Sequence, residues 1–89
     1  MRIDLFLKKT GLIKHRAEAK RACDHGAVAI DGQPAKPGRS VEVGQRVRIA
    51  YPRRFLEVEV LMVPEGNVRK TEREKCYRVV EETVRSWEE

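Results

Sequence analysis

Very little in this 89-residue chain is suited to bond-making chemistry. It has two cysteines, Cys23 and Cys76, which form no Cys-x-x-Cys pair, and two histidines, His15 and His25, which add no ligand cluster. Each cysteine falls on the apolar side of a helical pattern, so both read as small core residues rather than as redox or metal groups. The two serines, Ser40 and Ser86, have no histidine near them in sequence, and no Gly-x-Ser-x-Gly, Walker loop or His-Glu-x-x-His occurs. These absences argue against an enzyme and against a bound cofactor or metal. No uninterrupted apolar run exceeds four residues, as at Ala27 to Ile30, and no charged-then-apolar leader opens the chain. Neither a signal peptide nor a membrane span is therefore expected, which points to the cytoplasm.

Charge is what the chain has in quantity. The formal net charge is +5, unevenly placed: residues 1–50 carry eleven Lys/Arg against five Asp/Glu, and residues 51–89 carry eight against nine. Between Arg2 and Arg21 lie seven cations and two anions, a density that steers a protein toward polyanions. In the stretch Ile13 to Gly26, helical spacing puts Ala19, Ala22 and Cys23 on a narrow apolar stripe with Arg16 and Lys20 stacked four residues apart on its flank. Like charges at that spacing repel. The pair fits either an external anion such as a phosphate backbone, or a solvated basic face softened by Glu18 and Asp24. Asp4 is the acid with the clearest task, since beside Arg2 it suits an ion pair or hydrogen bond that fixes the arginine. No second carboxylate is placed to complete an acid/base pair with it.

Taken in order, Ile3 to Thr10 reads as a helix with Ile3, Phe6, Leu7 and Thr10 on one stripe, ended by Gly11. Leu12 and Ile13 form an apolar elbow, and a second helix begins near His15, where Ser or Thr would be the usual cap. Gly26 suits the left-handed position that closes it. Ala27 to Ile30 is a short strand leading into Asp31-Gly32, a dipeptide suited to a two-residue hairpin turn. The returning segment holds Pro34 and Pro37, so it must be an edge that then crosses the surface carrying Lys36 and Arg39. Arg46 to Tyr51 and Phe55 to Met62 alternate as two half-buried strands. Aligning their apolar faces pairs odd positions with even ones, which excludes a three-residue loop in plain register. Arg46 and Arg48 then oppose Glu57 and Glu59 and are assigned to cross-strand pairing, with Arg53 and Arg54 left without a role.

Thr71 and Glu74 form a capping box, and Cys76, Tyr77, Val80, Val84 and Trp87 recur at helical spacing, so a C-terminal amphipathic helix is predicted. It either packs back on the fold or presents itself to a partner; Tyr77 and Trp87 read as core rather than as base-stacking groups. The expected fold is α+β, with two N-terminal helices on a small, mainly antiparallel sheet plus that helix. Residues 1–63 form the first unit with its sheet extension, and residues 64–89 form a connector and the helix.

The sequence Arg2-Ile3-Asp4-x-Phe6-Leu7, then Lys14-x-Arg16-x-x-Ala19-Lys20, then Gly26-x-Val28-x-Ile30-x-Gly32 and Val43-Gly44-x-x-Val47 resembles the RNA-binding domain named after small-subunit ribosomal protein S-four. His15 in place of a small hydroxyl cap and Leu5 in place of a commonly polar residue depart from the pattern. The resemblance implies RNA contacts at Arg2, Lys14, Arg16, Lys20 and Arg21, with Lys9 a weaker candidate. The free-standing domain and the region around Glu74-Lys75-Cys76-Tyr77 resemble the short bacterial quality-control proteins of the RqcP type and the longer ribosome-associated heat-shock protein. That resemblance implies contacts to large-subunit ribosomal RNA and to peptidyl-tRNA on a split large subunit, and the expected protein is a non-catalytic monomer. It also implies support for C-terminal tailing of the stalled chain by an elongation factor. Two other readings fit the residues: a protein-interaction module, and an RNA-binding regulator unrelated to stalled ribosomes.

Overall fold

Gly11 and Gly26 divide the first third of the chain into two helices. In the computed structural model, which describes residues 1–66 and 68–84, α1 spans Ile3–Thr10 and α2 spans Arg16–Asp24. Gly11 caps α1 at φ +79° and Gly26 follows α2 at φ +75°, both in the left-handed region that a side chain resists. Ile3, Phe6 and Leu7 of α1 and Ala19 of α2 are fully buried, as the apolar stripes predict.

The strands that follow are β1 (Val28–Ile30), β2 (Gln33–Pro34), β3 (Arg46–Ala50) and β4 (Arg54–Val60). Asp31 and Gly32 both adopt positive φ, 50° and 82°, the twist that a tight hairpin turn requires between β1 and β2. Pro34 sits in β2, at one edge of the sheet, where its missing N–H costs no ladder bond. β3 and β4 pair with Val47 opposite Val58 and Ile49 opposite Leu56, the odd-to-even register that the alternation demands. All five of Val47, Ile49, Leu56, Val58 and Val60 are buried against the helices' apolar faces. Burying side chains of this size contributes about 1.5–3 kcal/mol each. The phenol of Tyr51 donates to the Leu12 carbonyl, which ties the end of β3 to the elbow between the helices.

The C-terminal segment differs from the helix predicted for it. Among the described residues of this segment a single helical turn forms, α3 at Lys70–Arg73, continued by a 3-10 turn at Glu74–Cys76. Tyr77–Val84 is then a strand, β5, paired antiparallel with β4 to complete a five-stranded sheet ordered β2-β1-β3-β4-β5. The reason lies outside the segment. Without β5, strand β4 would present a full row of unpaired backbone groups, and Tyr77, Val79, Val80, Thr83 and Val84 are β-branched or aromatic residues that suit a pleat. Seven residue pairs form, with Val80 left over as a bulge where the register shifts beside Glu57 and Val58. Two ion pairs frame the pairing, Arg78 to Glu59 at 2.6 Å and Arg54 to Glu82 at 2.9 Å. Trp87, the last member of the predicted helical stripe, lies outside the described residues.

The capping box is likewise unused, because Arg69 is the residue that precedes α3 and no side-chain cap bond forms there. Thr71→Ala is therefore expected to change stability by less than about 0.5 kcal/mol, against about 1 kcal/mol for a working cap. Urea denaturation of the two proteins decides between them, and a loss of the larger size would restore the helix.

Candidate nucleic-acid interface

Arg2 is extended at φ −64°, ψ 145°, and α1 begins directly after it, which places Asp4 in the first turn where a negative charge meets the positive end of the helix dipole. The Asp4 side chain has no exposed surface. A carboxylate withdrawn from water costs several kcal/mol unless donors surround it, and here they do. The Leu5 N–H donates to Oδ1 at 2.8 Å. Arg2 forks onto both oxygens, Nε to Oδ1 at 3.2 Å and Nη2 to Oδ2 at 3.3 Å. Arg16 reaches from the start of α2 and donates its Nε to Oδ2 at 3.5 Å.

One buried acid thus holds two arginines, Arg2 by Nε and Nη2 and Arg16 by Nε, while 49% and 45% of their side-chain surfaces stay exposed. A guanidinium carries five N–H donors, so those that Asp4 does not take remain for contact with a phosphate. The sequence suggested the Arg2–Asp4 pair. For Arg16 it offered only Glu18 and Asp24 as nearby acids, whereas in the structure Arg16 shares Asp4, twelve positions away in the chain. No local spacing signals such a contact.

The surface segment after β2 buttresses the same corner. Ile3 and Asp4 donate backbone N–H groups to the carbonyls of Arg39 and Pro37, at 2.7 and 3.2 Å. Arg2 and Ser40 form an isolated antiparallel bridge. The segment carrying Lys36 and Arg39 is therefore packed on the N-terminus of α1 rather than free to wander.

Of the other residues singled out, Lys14, Lys20 and Arg21 are exposed on the elbow and α2, and none has an ion pair among the described residues. Lys20 lies one turn along α2 from Arg16 and extends its charge. Lys9 is engaged elsewhere, donating its ammonium to the Gly66 carbonyl of the connector. His15 occupies the position before α2 and makes no side-chain cap bond, so it leaves the first amides of the helix open to an outside acceptor.

On the far side of the sheet the arginines have partners. Arg46 and Arg48 stand opposite Glu59 and Glu57 as expected, but among the described residues only Arg46 of the two makes an ion pair, diagonally to Glu57 at 3.4 Å. Arg48 lies 5.5 Å over the Phe55 ring, and Glu59 is taken by Arg78. Arg54, left without a role by the sequence, pairs with Glu82 and sits 4.5 Å over the Tyr51 ring. Burial raises the Tyr51 phenol above its ordinary range, although Arg54 pulls the other way.

Cys23 is buried in the core on α2, and its thiol is pushed up to about 11 by burial, then by the charges of Asp4 and Asp24. Both cysteines are buried and unpaired. Among the described residues no group of three or more His, Cys, Asp or Glu side chains is placed to hold a metal ion. No helix among them is long and apolar enough to cross a membrane.

The S4 domain family matches residues 1–47, the stretch that holds Arg2, Asp4, Arg16 and the first hairpin. A protein of Halalkalibacterium halodurans named RQC P-site tRNA stabilizing factor is 39% identical over 82 residues, covering 92% of each chain. Among solved structures, the trimeric heat shock protein 15 of Vibrio cholerae superposes with a TM-score of 0.83 at 25% identity, over 90% of this chain and 81% of that one. The solution structure of a hypothetical protein superposes with a TM-score of 0.77 at 32% identity, over 89% and 95% of the two chains.

Two outcomes test this corner. Asp4→Asn keeps the shape but removes the charge that both arginines face, and is expected to cost about 1–3 kcal/mol in urea denaturation; wild-type stability would show that Asp4 does not clamp them. For Cys23, the unfolded thiol ionises near 9.0 and the folded one near 11. The unfolded state therefore binds fewer protons between those values, and folding stability falls as pH rises across that window. Relative to Cys23→Ala, the wild type should lose stability from pH 9 upward and show no such difference below it. Parallel curves throughout would remove the buried-thiol assignment.

Proposed function

The chain belongs to the S4 domain family, and on that premise we propose that it is a non-catalytic RNA-binding protein of the bacterial cytoplasm. In this reading it stabilises tRNA in the P site of the large ribosomal subunit while a stalled nascent chain is handled. The observation that carries the reading is the pair of half-exposed arginines, Arg2 and Arg16, locked on one buried carboxylate. A ligand of this pair must be anionic and must offer more than one acceptor, which a phosphodiester backbone does and a single carboxylate side chain does less well. Lys14, Lys20 and Arg21 add unpaired cations on the same helix pair, and together they define a phosphate-gripping surface that reads RNA by shape and backbone rather than by base edges.

The relatives' name, with its P-site tRNA, supports tRNA as one partner, and a protein that stabilises tRNA there must also touch the ribosomal RNA around it. Both RNAs are thus proposed partners, with the chain acting as a monomer. Help to an elongation factor that tails the stalled chain would follow from holding the tRNA in place. The protein-interaction alternative loses its main support, because the helix that was to present itself to a partner is a strand paired into the sheet.

Electrostatic binding leaves a measurable signature. Arg2→Ala or Arg16→Ala should weaken binding to purified large subunits and lower the slope of log affinity against log salt by about one unit per lost phosphate contact. Arg48→Ala, which loses only its place over Phe55, should bind as the wild type does. Sedimentation of tagged protein, with sequencing of the co-purified RNA, should recover large-subunit RNA and tRNA; recovery of messenger RNA alone would overturn the ribosomal reading.

A further inference from the structure

The connector brings two more cations to the elbow between the helices. Lys8 near the end of α1, Lys14 and His15 at the elbow, and Lys70 and Arg73 of α3 surround Gly11 and line an open cleft of about 520 Å³. No acidic side chain lines it, and among the described residues none of its cations makes an ion pair. The Arg73 side chain lies across Gly11, with Nη1 and Cδ at 3.5 and 3.6 Å from where a Cβ would stand there. Its Nε is buried and has no hydrogen-bond partner. A buried guanidinium N–H without an acceptor is costly, and four cations facing one space repel each other. The repulsion falls when an anion with several acceptor oxygens enters the cleft.

We propose that this cleft is a second RNA-backbone site, taking a phosphodiester group between Lys70 and Arg73 on one side and Lys8 and Lys14 on the other. The inference rests on the RNA-binding reading above and extends it beyond residues 1–47, the part matched by the family. Continuity favours RNA over another polyanion. His15, which lines the cleft, immediately precedes Arg16 in the chain, and the two sites lie at the two ends of α1. The eight residues of α1 that separate the two sites span about 12 Å, a distance one RNA strand crosses in a few nucleotides. Lys9, bonded to Gly66, helps to hold the connector where Lys70 and Arg73 face the cleft.

The test uses the whole protein and purified bacterial large ribosomal subunits, with and without tRNA in the P site. Lys70→Glu alters an exposed side chain and keeps the fold; Arg73→Ala removes the buried donor, and Arg73→Lys retains its charge. Lys70→Glu and Arg73→Ala are expected to weaken binding roughly tenfold and to lower the salt slope by about one unit, with Arg73→Lys recovering most of the loss. Weakening on both kinds of subunit assigns the phosphate to ribosomal RNA, and weakening only when tRNA is present assigns it to tRNA. Wild-type binding by Lys70→Glu and Arg73→Ala, with Arg16→Ala impaired, overturns the second site and leaves the arginine pair standing. Wild-type binding by all three variants overturns both.

Discussion

Everything at the basic end of this molecule depends on one carboxylate having been taken out of water. Asp4 is fully buried, and the donors that make this tolerable come from three places: the backbone of α1, the extended residue before it, and the first residue of α2. The contact therefore does two jobs at once. It offsets the repulsion between Arg2 and Arg16, which a bare surface would not hold together, and it fixes where their free edges point. Two long side chains that are ordered in advance lose less freedom on meeting a phosphate than two solvated ones would. The arrangement costs some stability relative to an apolar contact of the same shape. That cost is intelligible at a binding surface and hard to explain elsewhere.

The sheet serves this corner from behind. β1, β3 and β4 supply the apolar floor on which both helices rest, and Tyr51 reaches across to the elbow. Pairing β5 on β4 covers what would have been an exposed edge, and its charged residues lock on through Arg78–Glu59 and Arg54–Glu82. The arginines of β3 and β4 are engaged by glutamates or by aromatic rings, whereas Lys14, Lys20 and Arg21 on the helix pair have no ion pair among the described residues. The partition follows from which cations found acids within the fold, not from where cations occur in the chain.

Much of this was legible in the residues. Two amphipathic helices, the Asp31-Gly32 hairpin, the proline-bearing edge and the odd-to-even register of β3 with β4 all follow from period, turn chemistry and alternation, which act over a few residues. The C-terminal segment was misread for a related reason. Cys76, Tyr77, Val80 and Val84 match a helical stripe, yet the same residues are good strand formers, and short apolar patterns of this kind carry both meanings. What tipped the balance was the open edge of β4, and nothing within residues 70–84 records that edge.

By itself, the sequence determined the local elements, the basic character of the first half and the resemblance that pointed to RNA, because propensity, spacing and charge are properties of neighbouring residues. Only the tertiary structure decided which cations are free. It put Arg16 on Asp4, gave Arg54 to Glu82, withdrew Lys9 to the connector and gathered Lys70 and Arg73 around Gly11. Electrostatic partnership depends on distance and burial, and both are set by the packing of segments far apart in the chain.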